Sequence, residues 1–161
     1  MRFLKILVPM MLAVLPLSAG APATAVAPAA GCTGRPGPVR LFLNVENVRP
    51  GGGLIAASLY ADDRRKFLAK RGALYVGRAP ATAPRTRMCI FLPSTGIWGV
   101  GIYHDADSDR SFDRTGLGLP AEAYGFTNNP AVVFGLPSFS SVRLNVPRNN
   151  MSTTIRLKYP G

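Results

Sequence analysis

The sequence predicts an all-β fold, a single antiparallel β-sandwich of about seven strands with one long acidic loop. Three observations carry the prediction. Short segments alternate apolar and polar residues with the period of two expected of half-buried strands. Gly/Pro-rich turns separate those segments. Sustained helical periodicity is almost absent beyond the first 30 residues.

The chain has 161 residues and a net charge of +11. Arg2 and Lys5 precede an apolar run from Phe3 to Leu17, and an Ala/Pro-rich stretch follows. That order is expected of a signal peptide over residues 1–25, with Ala23-Thr24-Ala25 as the best cleavage site. The run is too short and too interrupted by Pro9 and Pro16 to be read as a membrane span. A lipoprotein anchored at Cys32, after Ala29-Ala30-Gly31, is the alternative. Either reading places the protein in the periplasm or outside the cell, with residues 26–38 as linker and irregular entry and 39–160 as the β-sandwich domain. About 130 residues suffice for one core of that kind. Cys32 and Cys89 make an even count in an exported chain, where oxidising conditions favour a bridge between them.

Val39, Leu41, Leu43 and Val45 alternate with Arg40, Phe42, Asn44 and Glu46 as a first strand. Pro50-Gly51-Gly52-Gly53 turns the chain into Leu54–Ala61, and the proximity of the two predicts a hairpin. Asp62 or Asp63 is expected to cap a short helical turn carrying Phe67 and Leu68. Ala73–Gly77 reads as a short strand, Ala79–Pro84 as a connection, and Arg85–Leu92 as another alternating strand. Ile97–His104 is the most apolar strand, with Gly99 and Gly101 leaving one face open for close packing. Ser141–Val146 and Ser152–Tyr159 complete the set. Arg40, Arg87, Arg143, Arg156 and Lys158 fall at outward positions, so the basic charge is expected to gather on one sheet face or to guard the sheet exterior against edge pairing.

Five of the eight acidic residues lie between Asp105 and Glu122. Asp105, Asp107 and Asp109 reproduce the first three ligand positions of a calcium loop, where alternate residues aim carboxylates at one point. Phe112 and Asp113 fall at its eighth and ninth positions. Arg110 stands where such loops place glycine, and Gly116 where they place a bidentate glutamate, so the segment is not an EF-hand. Glu122 is a candidate for the missing carboxylate. The metal candidates are therefore Asp105, Asp107, Asp109, Asp113 and Glu122, with Ca²⁺ as the cofactor. The competing expectation is a solvated connection held by local Asx turns, with Arg110 and Arg114 offsetting the charge.

Tyr124, Phe126, Asn128 and Asn129 form a second candidate group, able to stack on and hydrogen-bond a sugar or to anchor the core. Catalysis is not expected. The single histidine, His104, reads as structural, no nucleophile elbow is present, and the supply of His and Cys excludes transition-metal sites. The basic balance points to an anionic envelope component or a glycan as partner rather than to nucleic acid. The function expected is thus a non-catalytic binding or structural module of the cell envelope, stabilised by Ca²⁺. A carbohydrate- or polyanion-binding module is the alternative, and a glycan-active enzyme working through paired carboxylates is the third reading.

The segments GLIAASLY, Phe67-Leu68, LPSTGIWGVGIYHDADSDRSFD, GLPAEAYGFTNNP and GLPSF (Gly135 to Phe139) together resemble the bacterial secreted family called domain of unknown function 2141. The family's loop runs closer to H-D-x-N-x-N-G-x-x-D, and here aspartate and arginine replace asparagine and glycine. The resemblance covers nearly all of the mature region. It implies an exported β-sandwich resembling prealbumin-like or carbohydrate-binding modules, in keeping with the prealbumin-like or immunoglobulin-like sandwich expected from the strands, and brings no activity with it.

Overall fold

The computed structural model describes residues 31–131 and 136–160. The expected signal peptide, its cleavage site and residues 26–30 of the expected linker lie outside the described residues. Nine strands are present among the described residues: β1 (Cys32–Thr33), β2 (Val39–Glu46), β3 (Leu54–Ala61), β4 (Tyr75–Pro80), β5 (Arg85–Leu92), β6 (Gly96–Asp105), β7 (Tyr124–Phe126), β8 (Leu144–Val146) and β9 (Met151–Arg156). One helical turn, α1 (Phe139–Val142), precedes β8. Seven of the strands overlap the expected ones with shifted ends, β4 running on to Pro80, β8 starting only at Leu144 and β9 stopping at Arg156, and β1 and β7 bring the number above the seven expected.

The strands form two sheets. The first runs β1-β5-β2-β9, and the second β4-β3-β6-β7 with β8 also paired to β6. The expected hairpin does not form: β2 pairs with β5 and β9, whereas β3 pairs with β4 and β6. Residues 47–53 carry the chain from one sheet to the other instead, helped by Asn47 at φ 63°, whose side chain donates to the Leu157 carbonyl (2.8 Å). Full antiparallel order also fails, because β1 pairs parallel with β5 and β2 parallel with β9.

The alternation read from the sequence does set which side chains go inside. Leu41, Leu43, Val45, Ile55, Leu59, Ile90, Leu92, Val100, Val146 and Ile155 share one buried cluster drawn from both sheets. At about 25 cal/mol per Å² of apolar surface removed from water, burial of each such side chain stabilises by roughly 1.5–3 kcal/mol relative to exposure. The sheets also meet at their edges. Tyr75 on β4 donates its hydroxyl to the Phe91 carbonyl on β5, and burial pushes its phenol up to about 12. The Arg78 amide donates to Thr33 Oγ1 (3.1 Å), while Tyr124 and Lys158 exchange backbone hydrogen bonds (3.0 and 2.8 Å).

Local departures have local causes. Residues after Asp63 make successive turns rather than a helix: Asp63 Oδ1 accepts the Arg65 amide (2.9 Å), and Leu68 and Arg71 sit at φ 56° and 58°. The strand expected from Ser141 is replaced in part by α1, because Phe139 and Val142, three apart, bury together against the outer face of the second sheet. A Cβ on Gly99 would lie 3.0 Å from the Phe139 ring and one on Gly101 3.2 Å from Phe126, so the open face predicted for this strand receives aromatic rings. The basic residues do not gather on one face. Arg40, Arg87 and Arg156 point outward from the first sheet, but Arg143 forms a two-pronged pair with Asp62 (2.9 and 2.8 Å) and Lys158 reaches the Pro130 carbonyl.

Cys32 and Cys89 are bridged, joining β1 to β5 across a separation of 57 residues. By loop entropy, opening this bridge costs the fold up to about 4 kcal/mol. Denaturant unfolding of the Cys32→Ser/Cys89→Ser variant is expected to show a lower midpoint by that order, and an unchanged midpoint overturns the assignment. Glu46 accepts from Arg156 (3.1 Å) and Arg85 (2.8 Å), and these bonds hold its carboxyl below its ordinary 4.5. Its stabilisation is present at neutral pH and is lost as pH falls below about 4.5 through the depressed value. Acid titration of wild type against Glu46→Gln should show the two melting curves converging in that range and diverging above it.

Candidate cation site and aromatic cleft

Strand β6 delivers the acidic loop. Successive side chains of a strand point to opposite faces, so His104 turns inward and Asp105 outward at its end. His104 is 4 % exposed. Its Nδ1 lies 2.9 Å from the Tyr159 hydroxyl and its Nε2 2.8 Å from the Gly52 carbonyl. A carbonyl only accepts, so Nε2 carries a proton and donates it to Gly52, while Nδ1 and the Tyr159 hydroxyl share the second bond. The Tyr159 oxygen in turn accepts the Arg49 amide (2.8 Å). Both ring nitrogens are spent on holding the chain end and the 47–53 crossover against the strand.

Asp105 is fully buried, yet its Oδ1 has no hydrogen-bond partner. Its Oδ2 accepts the Arg110 amide (3.1 Å). Asp107 Oδ1 accepts the Asp109 amide (3.2 Å) and Asp109 Oδ1 the Ser111 amide (2.6 Å), so the expected Asx turns are formed. Around them, carboxylate oxygens of Asp105, Asp107 and Asp109 all come within 4.8 Å of one another. Ser108 and Arg110 adopt φ 64° and 69°. Arg110 thus takes the left-handed conformation that glycine takes in calcium loops, and its identity there does not prevent the turn.

Asp113 and Glu122 stand outside that three-residue group. Glu122 serves the backbone instead, its Oε1 accepting the Ala106 amide and its Oε2 the Asp113 amide, each at 3.2 Å. One side chain therefore ties together the two ends of the loop. Burial raises the Glu122 carboxyl, and the two amides pull against that rise. Asp113 is also raised, by loss of solvent and by the charges of Asp109, Asp107 and Asp105. The loop's flank is fixed by Arg78 and Tyr103, which both donate to the Arg110 carbonyl (3.0 and 3.3 Å).

The second candidate group divides. Tyr124 and Phe126 lie on β7 and line a cleft on the outer face of the second sheet. Asn128 and Asn129 are occupied elsewhere: Asn128 donates to the Arg143 carbonyl (2.7 Å), and Asn129 donates to the Thr154 carbonyl (2.9 Å) and accepts the Arg156 amide (2.7 Å). Both have positive φ, 64° and 47°, the left-handed turn conformation that asparagine tolerates. Tyr60, Tyr103 and Phe112 complete the aromatic wall. Strand alternation makes the outward positions of Tyr60 and Tyr103 readable, but their meeting with Phe112 depends on the sheet order.

Glu122→Ala removes both acceptors and leaves two loop amides without their partner. With each hydrogen bond worth about 0.5–1.5 kcal/mol, and more when charged, a loss of about 2–3 kcal/mol in unfolding free energy is expected. Hydrogen exchange should quicken at Ala106 and Asp113 with little change in β2. Unaltered exchange at both amides overturns the clamp.

Among known proteins, the family model described as an uncharacterized protein conserved in bacteria, domain of unknown function 2141, matches residues 43–155. No curated protein matches the chain, and neither does any solved structure. The matched span runs from the middle of β2 through the acidic loop to β9, so the loop, its glutamate clamp and most of both sheets fall within it. The chain belongs to the bacterial family domain of unknown function 2141.

Proposed function

We propose that the protein is an exported, non-catalytic β-sandwich module of the cell envelope, of prealbumin-like or immunoglobulin-like kind, whose Asp105–Asp109 loop holds Ca²⁺. The observation that carries the reading is the buried Asp105 Oδ1, which lacks any hydrogen-bond partner although its residue belongs to a three-carboxylate cluster. A buried charged oxygen without a partner costs several kcal/mol unless a cation compensates it. The pattern favours calcium: alternate aspartates at the first three positions of the loop are the arrangement by which a Ca²⁺ loop gathers hard oxygen ligands. Three carboxylates leave further positions to backbone carbonyls and water, the usual complement of a six- to eight-coordinate site.

Export rests on the leader and agrees with the disulfide, since such bridges persist in oxidising compartments. No helix among the described residues is long and apolar enough to cross a membrane. The carbohydrate- or polyanion-binding alternative draws less support. Asn128 and Asn129 are committed to the backbone, and Arg85, Arg143 and Arg156 are paired with carboxylates.

Calorimetric titration of Ca²⁺ into chelator-treated protein is expected to give one site. At 100 times its dissociation constant the ion should stabilise by about 2.7 kcal/mol, with Mg²⁺ weaker. Asp105→Asn should behave in two opposed ways: more stable than wild type in chelator by about 1–3 kcal/mol, because a buried charge is gone, and insensitive to Ca²⁺. Asp107→Ala should lose at least about tenfold in affinity, roughly 1.4 kcal/mol. Absence of both heat and thermal shift on wild type rejects the calcium reading.

A further inference from the structure

The outer face of the second sheet carries a small apolar cluster of its own. Tyr60, Phe126, Phe139 and Val142 are buried there, away from the main core, with Phe67, Leu68 and Tyr124 packed around them. The rings meet edge to face: Tyr103–Phe112 at 5.4 Å and 63°, Phe112–Tyr124 at 6.5 Å and 81°, Tyr124–Phe126 at 6.0 Å and 66°. Between them lies a cleft of about 160 Å³. Its floor includes Ser58 and Gly101, paired across β3 and β6, and Arg114 and Leu136 stand exposed at its mouth.

We propose that this cleft is a binding site for a small molecule consisting of one aromatic ring with a carboxylate. Volume sets the ring count, because an apolar cavity of about 150 Å³ accepts one benzene ring. The edge-to-face lattice sets the ring type: a further aromatic ring continues the same arrangement at the same spacing, which is worth about 0.5–1.5 kcal/mol per pair beyond burial. Charge complementarity sets the substituent. Arg114 is the one cation lining the cleft among the described residues. Its guanidinium lies 5.3 Å from the Phe112 ring centroid and donates one bond to the Gly118 carbonyl (3.0 Å), leaving its other N–H donors for a ligand oxygen. A sugar ring is disfavoured by the same walls, which offer its hydroxyls few acceptors beyond Ser58 and the tyrosines.

The site goes beyond the calcium reading and stands without it, although Phe112 and Arg114 come from the acidic loop and its continuation. Benzoate, benzyl alcohol and glucose are titrated into ¹⁵N-labelled protein, once with Ca²⁺ and once with chelator. Benzoate is expected to bind in at least one of the two buffers, moving the amides of Ser58, Gly101 and Phe112, with benzyl alcohol weaker and glucose silent. Arg114→Gln should weaken benzoate about tenfold, the size of one charge-assisted bond, and leave benzyl alcohol unchanged. Ser58→Leu, which fills the floor, should abolish both while its circular dichroism stays that of wild type; should it fail to fold, Tyr124→Ala serves as the second variant and should weaken both. Three results overturn the proposal: binding of glucose but not benzoate, no binding in either buffer, or benzoate affinity untouched by Arg114→Gln and by the floor variant.

Discussion

The end of β6 is the constraint on which the functional part of the molecule depends. Its pleat places two ionisable neighbours on opposite sides of one sheet. His104, inside, is held by Tyr159 and the Gly52 carbonyl, so the strand end cannot rotate without breaking bonds to two distant segments. Asp105, outside, is consequently buried in a fixed orientation, with one oxygen on the Arg110 amide and the other without a partner. A one-residue slip of this strand would exchange the two side chains. The eight-residue ladder to β3, which pairs Leu54 with Asp105 and Ala61 with Trp98, opposes that slip along its whole length.

The loop beyond Asp105 concentrates negative charge, yet it is organised chiefly by backbone amides. Five amides, of Ala106, Asp109, Arg110, Ser111 and Asp113, donate to carboxylates within the loop or to Glu122. Such bonds satisfy backbone donors that would otherwise need water, and they pre-arrange the carboxylates at the same time. They do not neutralise them. Asp113 and Glu122 are both raised, chiefly by burial and in smaller part by neighbouring carboxylates. A cation among Asp105, Asp107 and Asp109 would offset only that smaller part.

The strands were legible because alternation is a local signal, and each expected strand exists. Partnership between strands was not. The proximity of Val39–Glu46 and Leu54–Ala61 argued for a hairpin, but Asn47 at positive φ and the triple glycine allow the connection to cross between sheets, and no short-range pattern distinguishes the two outcomes. Cys32–Thr33 and Tyr124–Phe126 are too short to show any period. At the site, Asp105, Asp107 and Asp109 could be read from spacing, whereas the role of Glu122 could not, since a carboxylate accepting two amides and one ligating a metal have the same sequence. The turn geometry of Asn128 and Asn129 was hidden for a related reason: asparagine serves ligands and left-handed turns equally well.

Both candidate sites lie on the outer face of the same sheet, and the closure of the fold explains why. The edges of the two sheets are joined through Tyr75 and Phe91, Thr33 and Arg78, and Tyr124 and Lys158, which leaves little open edge for recognition by strand addition. The outer face of the first sheet carries the Glu46–Arg85–Arg156 pairs and the disulfide, with Phe42 exposed between them and, among the described residues, no hollow lined by aromatic rings on both sides. On the second sheet, Gly99 and Gly101 lower the surface of β6 and admit rings from α1 and β7. The long segment between β6 and β7 then folds back over this hollow, bringing Phe112 against Tyr103 and Tyr124. A loop that must cross an apolar hollow needs an anchor at each end, and here the anchors are charged: Asp105 at the strand and Glu122 before β7. The carboxylates and the aromatic cleft are therefore two consequences of one crossing, with the cation proposed at its root and the ring proposed beneath its span.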